Sequence, residues 1–286
     1  MKLMITGATG FLGCRAAAHF SRLGYQVLSP CHAELDITDQ ASVKIWFQRN
    51  RPQTVLHCAA VSDTGACQRD PEGTARINVT GSENIARACA EYGTKLVFCS
   101  SDQVYAGSPL PGPHKESEIL LPGNVYARQK LLAEQLCRTA CPDTVSLRLS
   151  WMYSSQSLPG EHGHLLTTLS AALKDPSCPL TWPVHDRRGI SDADSVVRNL
   201  PAALELPAGI YNFGSENDMD TFHTLQAVFT ELELSDALKR LIPNRQAFAD
   251  SPRDIRMDCS LARDHGIFFE STRTGLCRAL RNMTIK

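Results

Sequence analysis

The first half of the chain alternates short apolar runs with amphipathic stretches. Leu3–Thr6, Tyr25–Ser29, Thr54–Cys58, Lys95–Ser100 and Val145–Leu149 read as buried strands. Between them, Gly10–Leu23, Ser42–Arg49, Glu72–Tyr92 and Val125–Cys141 read as helices. Strands that alternate with helices in this way predict βαβ units, hence an α/β fold with a doubly wound parallel sheet. After Trp151 the rhythm loosens. Helices are expected over His164–Lys174, Asp192–Leu204, Thr221–Leu232, Ser260–His265 and Thr274–Asn282, a short extended piece over Arg188–Ser191 and one more buried strand at Gly209–Phe213. A polar, proline-rich loop spans Gly107–Gly123, a length usual for functional or mobile loops.

Composition narrows the function classes. The 286 residues are enough for one large α/β domain, or one domain with a small appendage, and 43% apolar and 21% charged residues are those of an ordinary globule. A net charge of −1 with no basic run gives no reason to expect nucleic acid as a partner. No apolar stretch approaches bilayer length, and the strand-like start argues against a signal peptide, so a cytoplasmic protein with no membrane partner is expected. Eleven cysteines, irregularly spaced and without a C-x-x-C pair, read as free thiols in a core rather than as disulfides or a zinc site, and no metal is expected.

Two motifs carry chemistry. Gly7-Ala8-Thr9-Gly10-Phe11-Leu12-Gly13 follows the first strand directly. The first glycine permits the tight turn, the second lets backbone approach a pyrophosphate, and the third lets the helix pack closely. Free N–H groups near Phe11 and Leu12 then face the phosphates. The alternative is a glycine-rich loop without a ligand. Further on, Tyr126 and Lys130 are one helical turn apart, so a phenol and an ammonium share a face. A nearby cation favours phenolate and would make the phenol a better acid–base group; a surface Tyr and Lys one turn apart is the plainer alternative. Ser100-Ser101-Asp102 ends the fourth strand, where open α/β sheets bind ligands. The second strand ends in Ser29-Pro30-Cys31-His32 without an acid to hold a ribose 2′-OH, and Arg15 and His32 are candidates for a 2′-phosphate, so the cofactor reading leans to NADP over NAD.

In combination these residues resemble extended short-chain dehydrogenase/reductases, and among them the dTDP-4-dehydrorhamnose reductases and their sugar-nucleotide-binding relatives. The resemblance rests on GATGFLG at 7–13, LDITD at 35–39, CAA at 58–60, INVTGSENI at 77–85, SSDQVYAG at 100–107, YARQK at 126–130, RLSWMY at 148–153, RGISDADSVV at 188–197, YNFGSEN at 211–217 and PRDIRMDCS at 252–260. It implies a Rossmann dinucleotide-binding domain over 1–151 and a mainly substrate-binding part over 152–286, with segments at about 188–213 returning to the first. By the same resemblance, Gly7, Gly10, Phe11, Leu12, Asp36, Ile37, Ala59, Ala60, Ser62, Tyr126 and Lys130 would bind the cofactor. Ser101, Tyr126 and Lys130 would be catalytic; Ser101, Asp102, Trp151 and Arg188 would face the substrate; and Asn78 would support the site. Two positions depart from the pattern: His57 replaces a frequent Asn, and Gln103 a frequent Tyr. The dehydratase glutamate is absent after Asp102, since Gln103 follows.

The function implied is NAD(P)H-dependent reduction of a nucleotide-activated 4-keto-sugar. The alternatives are a dinucleotide-binding regulatory subunit similar to the β subunit of methionine adenosyltransferase, and another sugar-nucleotide epimerase or reductase. Core packing remains the plain reading of Trp151, and a salt-bridged or solvated pair that of Arg187 and Arg188. Apolar faces on two helices fit a homodimer and fit simple core packing equally.

Overall fold

The computed structural model describes residues 1–156 and 164–284. The second part expected over 152–286 therefore includes residues 157–163 and 285–286, which lie outside the described residues. The chain begins with strand β1 (Lys2–Thr6), helix α1 (Phe11–Arg22), β2 (Gln26–Leu28), α2 (Gln40–Asn50), β3 (Thr54–His57), α3 (Thr64–Arg69), α4 (Pro71–Ala75), α5 (Ser82–Tyr92), β4 (Lys95–Ser101), α6 (Val125–Ala140) and β5 (Thr144–Leu149). It continues with β6 (Trp151–Tyr153), α7 (Leu165–Lys174), β7 (Leu180–Pro183), β8 (Asp186–Arg187), β9 (Ile190–Asp192), α8 (Ala193–Leu204) and β10 (Gly209–Phe213). Helix α9 (Thr221–Glu231), α10 (Ser235–Arg240), β11 (Leu241–Asn244), β12 (Arg253–Asp254), α11 (Ser260–Asp264) and α12 (Thr272–Thr284) complete it.

Six strands form one parallel sheet in the order β10-β5-β4-β3-β1-β2. This is the doubly wound α/β architecture expected from the apolar rhythm. Alternate strand residues bury opposite faces. Leu3, Ile5, Leu56, Val97 and Leu147 pack with α1 and α8 residues such as Phe20 and Leu200. Met4, Val55, Leu96 and Phe98 pack with Phe47 of α2, Ile85 of α5 and Ala133 of α6. Burial on both faces explains why these strands are apolar runs rather than alternating ones. A separate cluster unites α7, α9 and α12 around Leu169, Leu225, Phe229 and Leu276.

The chain order reverses between β1 and β3, since β2 lies on one side of β1 and β3 on the other. Ligands of open α/β sheets bind outside the carboxyl ends of strands at such a point.

Three features differ from the sequence expectation. The helix expected over Glu72–Tyr92 is interrupted by a π-helical turn, Arg76–Gly81. The turn packs where Gly81 lies against Ile37; a β-carbon there would come within 2.8 Å of it. The second difference is a set of small parallel pairs, β6 with β9, β7 with β11 and β8 with β12. Strands of two to four residues are too short to leave a periodic signal. The third concerns the Gly107–Gly123 loop. Buried His114 pins it to the C-terminal segment: its N–H donates to Arg256 O (2.7 Å), and its carbonyl accepts from Asp258 N–H (2.9 Å).

Candidate active site

The Gly-rich turn joins β1 to α1 at the switch point. Gly7 has φ +66°, a region that favours glycine, and a β-carbon there would sit 2.8 Å from the Ala59 backbone. Gly13 is pressed onto the Gly7 carbonyl, so the third glycine fits the helix against the turn itself. Gly10 caps α1 with no side-chain hydrogen bond, and a β-carbon there would meet only Gly7 O, at 3.3 Å. The first N–H groups of α1, with Phe11 half-buried and Leu12 buried, are thus left for an anion, and the surface is bare enough for close approach. Ala59 and Ala60 form the opposite, half-buried lip after β3, and Ser62 is exposed beyond them. This cradle, which side chains would fill, suits the pyrophosphate of a dinucleotide.

A hydrogen-bond relay fixes the two lips to each other. Ala59 N–H donates to Thr6 Oγ1 (3.2 Å), and Thr6 Oγ1 lies 2.6 Å from His57 Nδ1. His57 Nε2 lies 3.0 Å from Ser82 Oγ, and Ser82 donates its single hydroxyl proton to Asn78 O (2.8 Å). Ser82 therefore accepts from His57 Nε2–H, leaving Nδ1 to accept from Thr6. Complete burial, helped by the charge of Lys130, pushes His57 down to about 3 and keeps it neutral. Asn78, brought inward by the π-helical turn, grips the next residues: its Oδ1 accepts from Val61 N–H (2.8 Å), and its Nδ2 donates to Val61 O (3.0 Å) and Gln129 Oε1 (2.8 Å). Gln129 lies on α6, so the cofactor lip and the Tyr126 helix are tied together. The sequence singled out Asn78 and His57; Thr6, Ser82 and Gln129 carried no local signal.

Helix α6 starts where Asn124 accepts the Ala127 N–H (2.8 Å), which sets Tyr126 in the first turn. Tyr126 and Lys130 are both buried on the inner face. The Tyr126 phenol lies close to Ser101, at the carboxyl end of β4. Burial pushes the phenol well above its ordinary value, the Ser101 hydroxyl opposing and the Asp102 charge adding. Burial therefore favours the neutral phenol, the form that donates a proton. Lys130 lies beneath, its Nζ 4.4 Å from the centre of the Phe98 ring, and burial lowers its pKa.

Beside them runs a charged chain. Ser101 Oγ donates to Asp102 Oδ1 (3.2 Å), and Arg188 Nη2 donates to Asp102 Oδ2 (2.9 Å). The Arg188 guanidinium lies 5.0 Å from the centre of the Trp151 ring. Both Asp102 oxygens are thus occupied, and a sugar hydroxyl would have to share them. Among the described residues, Arg188 Nε and the Ser100 hydroxyl are buried without a partner. Trp151 is half-buried in β6 and packs against the α7–α9–α12 cluster.

Between β2 and α2, Asp36 accepts from both the N–H (2.9 Å) and the hydroxyl (2.8 Å) of Thr38, which lowers its pKa. A cavity of about 230 Å³ beside it is lined by His32, Asp36, Thr38, Gly73, Arg76 and Ile77. Ile37 packs instead against Gly81. Arg15 is directed elsewhere, donating to Phe11 O (2.8 Å) and Gln156 O (2.6 Å). No helix among the described residues is long and apolar enough to cross a membrane.

Comparison with known proteins places this geometry in a family. A dTDP-4-dehydrorhamnose reductase of Mycobacterium tuberculosis is 33% identical over 156 residues, 54% of this chain and 51% of that protein. The match thus spans about half the length of that relative. The β subunit of methionine adenosyltransferase 2 of Xenopus laevis is 28% identical over 283 residues, 93% of this chain and 83% of the relative. Among solved structures, a dTDP-4-dehydrorhamnose reductase of Bacillus anthracis in complex with NADP superposes with a TM-score of 0.84 at 22% identity, covering 99% of both chains, a likeness of fold. The family model of the RmlD substrate binding domain matches residues 1–285, and the chain belongs to that family.

Proposed function

We propose that this protein is an NAD(P)H-dependent reductase acting on a nucleotide-activated 4-keto-sugar. The observation that carries the reading is the burial of Tyr126 and Lys130, one turn apart on α6, with Ser101 close to the phenol at the carboxyl end of β4. The reduced nicotinamide, when bound, supplies a hydride. Ser101, by turning its hydroxyl from Asp102, would donate to the substrate carbonyl oxygen, and Tyr126 would protonate that oxygen as it becomes an alkoxide. Lys130 offsets the negative charge left on Tyr126. Arg188 and Trp151 offer a cation and an aromatic edge to the nucleotide-sugar, with Asp102 holding Arg188 in place. NADP is favoured over NAD because β2 runs straight into Ser29-Pro30-Cys31-His32, which holds no acid, and because His32 and Arg76 line the cavity beside Asp36. The NADP-bound Bacillus anthracis reductase of the same fold supports this.

The long match to the β subunit of methionine adenosyltransferase 2 favours a second reading, a dinucleotide-binding regulatory subunit. One experiment separates the two. The purified chain is given NADPH and a dTDP-4-keto-6-deoxy sugar, and in parallel is mixed with a methionine adenosyltransferase catalytic chain and run on a sizing column. Catalytic turnover without co-elution supports the reductase. Co-elution with no turnover overturns it.

A further inference from the structure

The dinucleotide crevice has two thiols in its floor that the reductase reading does not use. Cys58 and Cys99 follow the partnered residues His57 and Phe98 of adjacent parallel strands, so they stand side by side. Both pack into the same cluster beneath α1 and α8. Their sulfurs are 3.6 Å apart, and among the described residues no other cysteine pair has sulfurs within hydrogen-bonding reach. Neighbouring strands lie about 4.7–4.9 Å apart. That separation falls within the Cα spacing of roughly 4.4–6.8 Å that a disulfide accepts. Access also differs along the pair. Cys58 is half-buried at the crevice, next to the Ala59 lip, while Cys99 is buried behind it.

We infer that Cys58 and Cys99 are an oxidation site at which a peroxide closes a disulfide across the crevice floor, and that bound dinucleotide shields it. The bond between the two thiols favours the anion at Cys99, with the Lys130 charge adding and burial opposing, while the same bond and burial push the Cys58 thiol up. The chemistry balances. A thiolate attacks one peroxide oxygen, forming a sulfenic acid and releasing hydroxide, which a proton converts to water. The second thiol attacks that sulfur, the S–S bond forms, and its proton goes to the sulfenic oxygen, which leaves as water. Two thiols are oxidised by two electrons and one peroxide is reduced to two waters. Drawing the sulfurs from thiol contact to bonding distance pulls Cys58, and with it the Ala59–Ala60 lip, away from the position that the Thr6 relay defines.

The shielding rests on the dinucleotide reading above, whereas the linkage does not. The test treats the full chain with hydrogen peroxide, with and without NADPH, and uses no sugar substrate, so a failed reductase assay leaves it intact. Intact mass should fall by about 2 Da, reversibly with dithiothreitol. Digestion without reductant should yield a linked peptide pair containing Cys58 and Cys99. Cofactor affinity, read by fluorescence titration, should drop in the linked form and recover on reduction. NADPH, shown to be bound in the same titration, should slow the linkage. Cys58→Ser and Cys99→Ser, each checked for fold by circular dichroism, should both abolish the linked peptide. Over-oxidation of Cys99 without linkage, a linked form with unchanged cofactor affinity, or linkage at the same rate with NADPH bound would each overturn the inference.

Discussion

Tyr126 is a phenol that burial holds in its neutral form, as a proposed proton donor must be. Ser101 lies close to it, and Lys130 is one turn further along α6. Removing only the hydroxyl should therefore spare binding and harm chemistry. Tyr126→Phe is expected to bind NADPH normally while kcat falls by roughly 10²–10⁴-fold, the usual share of general acid catalysis. Steady-state kinetics with near-normal kcat would remove Tyr126 from that role. His57 makes a second prediction, on stability. Its folded pKa is about 3 against an ordinary 6.5, so between those values the unfolded chain binds one proton more than the folded chain. Stability from this residue is therefore complete above the ordinary value and is lost as pH falls, by up to about 1.4 kcal/mol per pH unit. Urea titrations of wild type and His57→Asn between neutral and mildly acidic pH check this. The variant, lacking the titrating ring, should show the shallower loss on acidification. Equal slopes would mean that His57 is not held neutral.

At the scale of elements, the turn from β1 into α1 separates a ligand role from a packing role. A β-carbon at Gly13 collides with the Gly7 carbonyl, whereas one at Gly10 meets a single oxygen at 3.3 Å. Gly10→Ala is thus expected to keep its fold by circular dichroism yet weaken NADPH about tenfold, ~1.4 kcal/mol, because the added methyl occupies the approach of the pyrophosphate. Unchanged affinity in fluorescence titration would make the turn structural only. The turn was legible because glycines at fixed spacing between a strand and a helix are a local pattern. The same holds for Gly209–Phe213, read from sequence and found with those bounds as β10. The π-helical turn in the long helix was not legible, since its residues Arg76–Gly81 carry ordinary helical periodicity and the inward turn of Asn78 depends on Val61 and Gln129, 17 and 51 positions away. The His57 relay is hidden for the same reason, as Thr6, His57 and Ser82 meet only once β1, β3 and α5 are assembled. Nor did the sequence show that Asp102 is already paired with Arg188, a contact across 86 positions.

Across the whole molecule, one buried ion pair locks the catalytic strands to α6. Arg148 of β5 grips Glu134 of α6 through Nη2 (2.7 Å) and Nε (3.1 Å), each side chain only 2% exposed. Its Nη1 donates to the Tyr105 hydroxyl (2.8 Å), which in turn donates to Asn212 of β10 (2.8 Å). Glu134→Ala would leave the guanidinium buried without its counter-charge. It should cost about 3–5 kcal/mol in urea unfolding, far more than deletion of an exposed pair such as Lys44–Glu91. A loss below 1 kcal/mol would contradict the lock. That framework ties β5, β10 and α6 together, and the proposed reaction passes a hydride to the sugar beside Ser101 and Tyr126. The direct measurement uses NADPH carrying two deuteriums at nicotinamide C4, incubated with the whole chain and a dTDP-4-keto-6-deoxy sugar, with the recovered sugar examined by mass spectrometry and NMR. The account predicts an alcohol at C4 with a deuterium on that carbon, formed by wild type and strongly suppressed in Tyr126→Phe. A sugar recovered unreduced, or reduced without label, from protein that binds both ligands would contradict it.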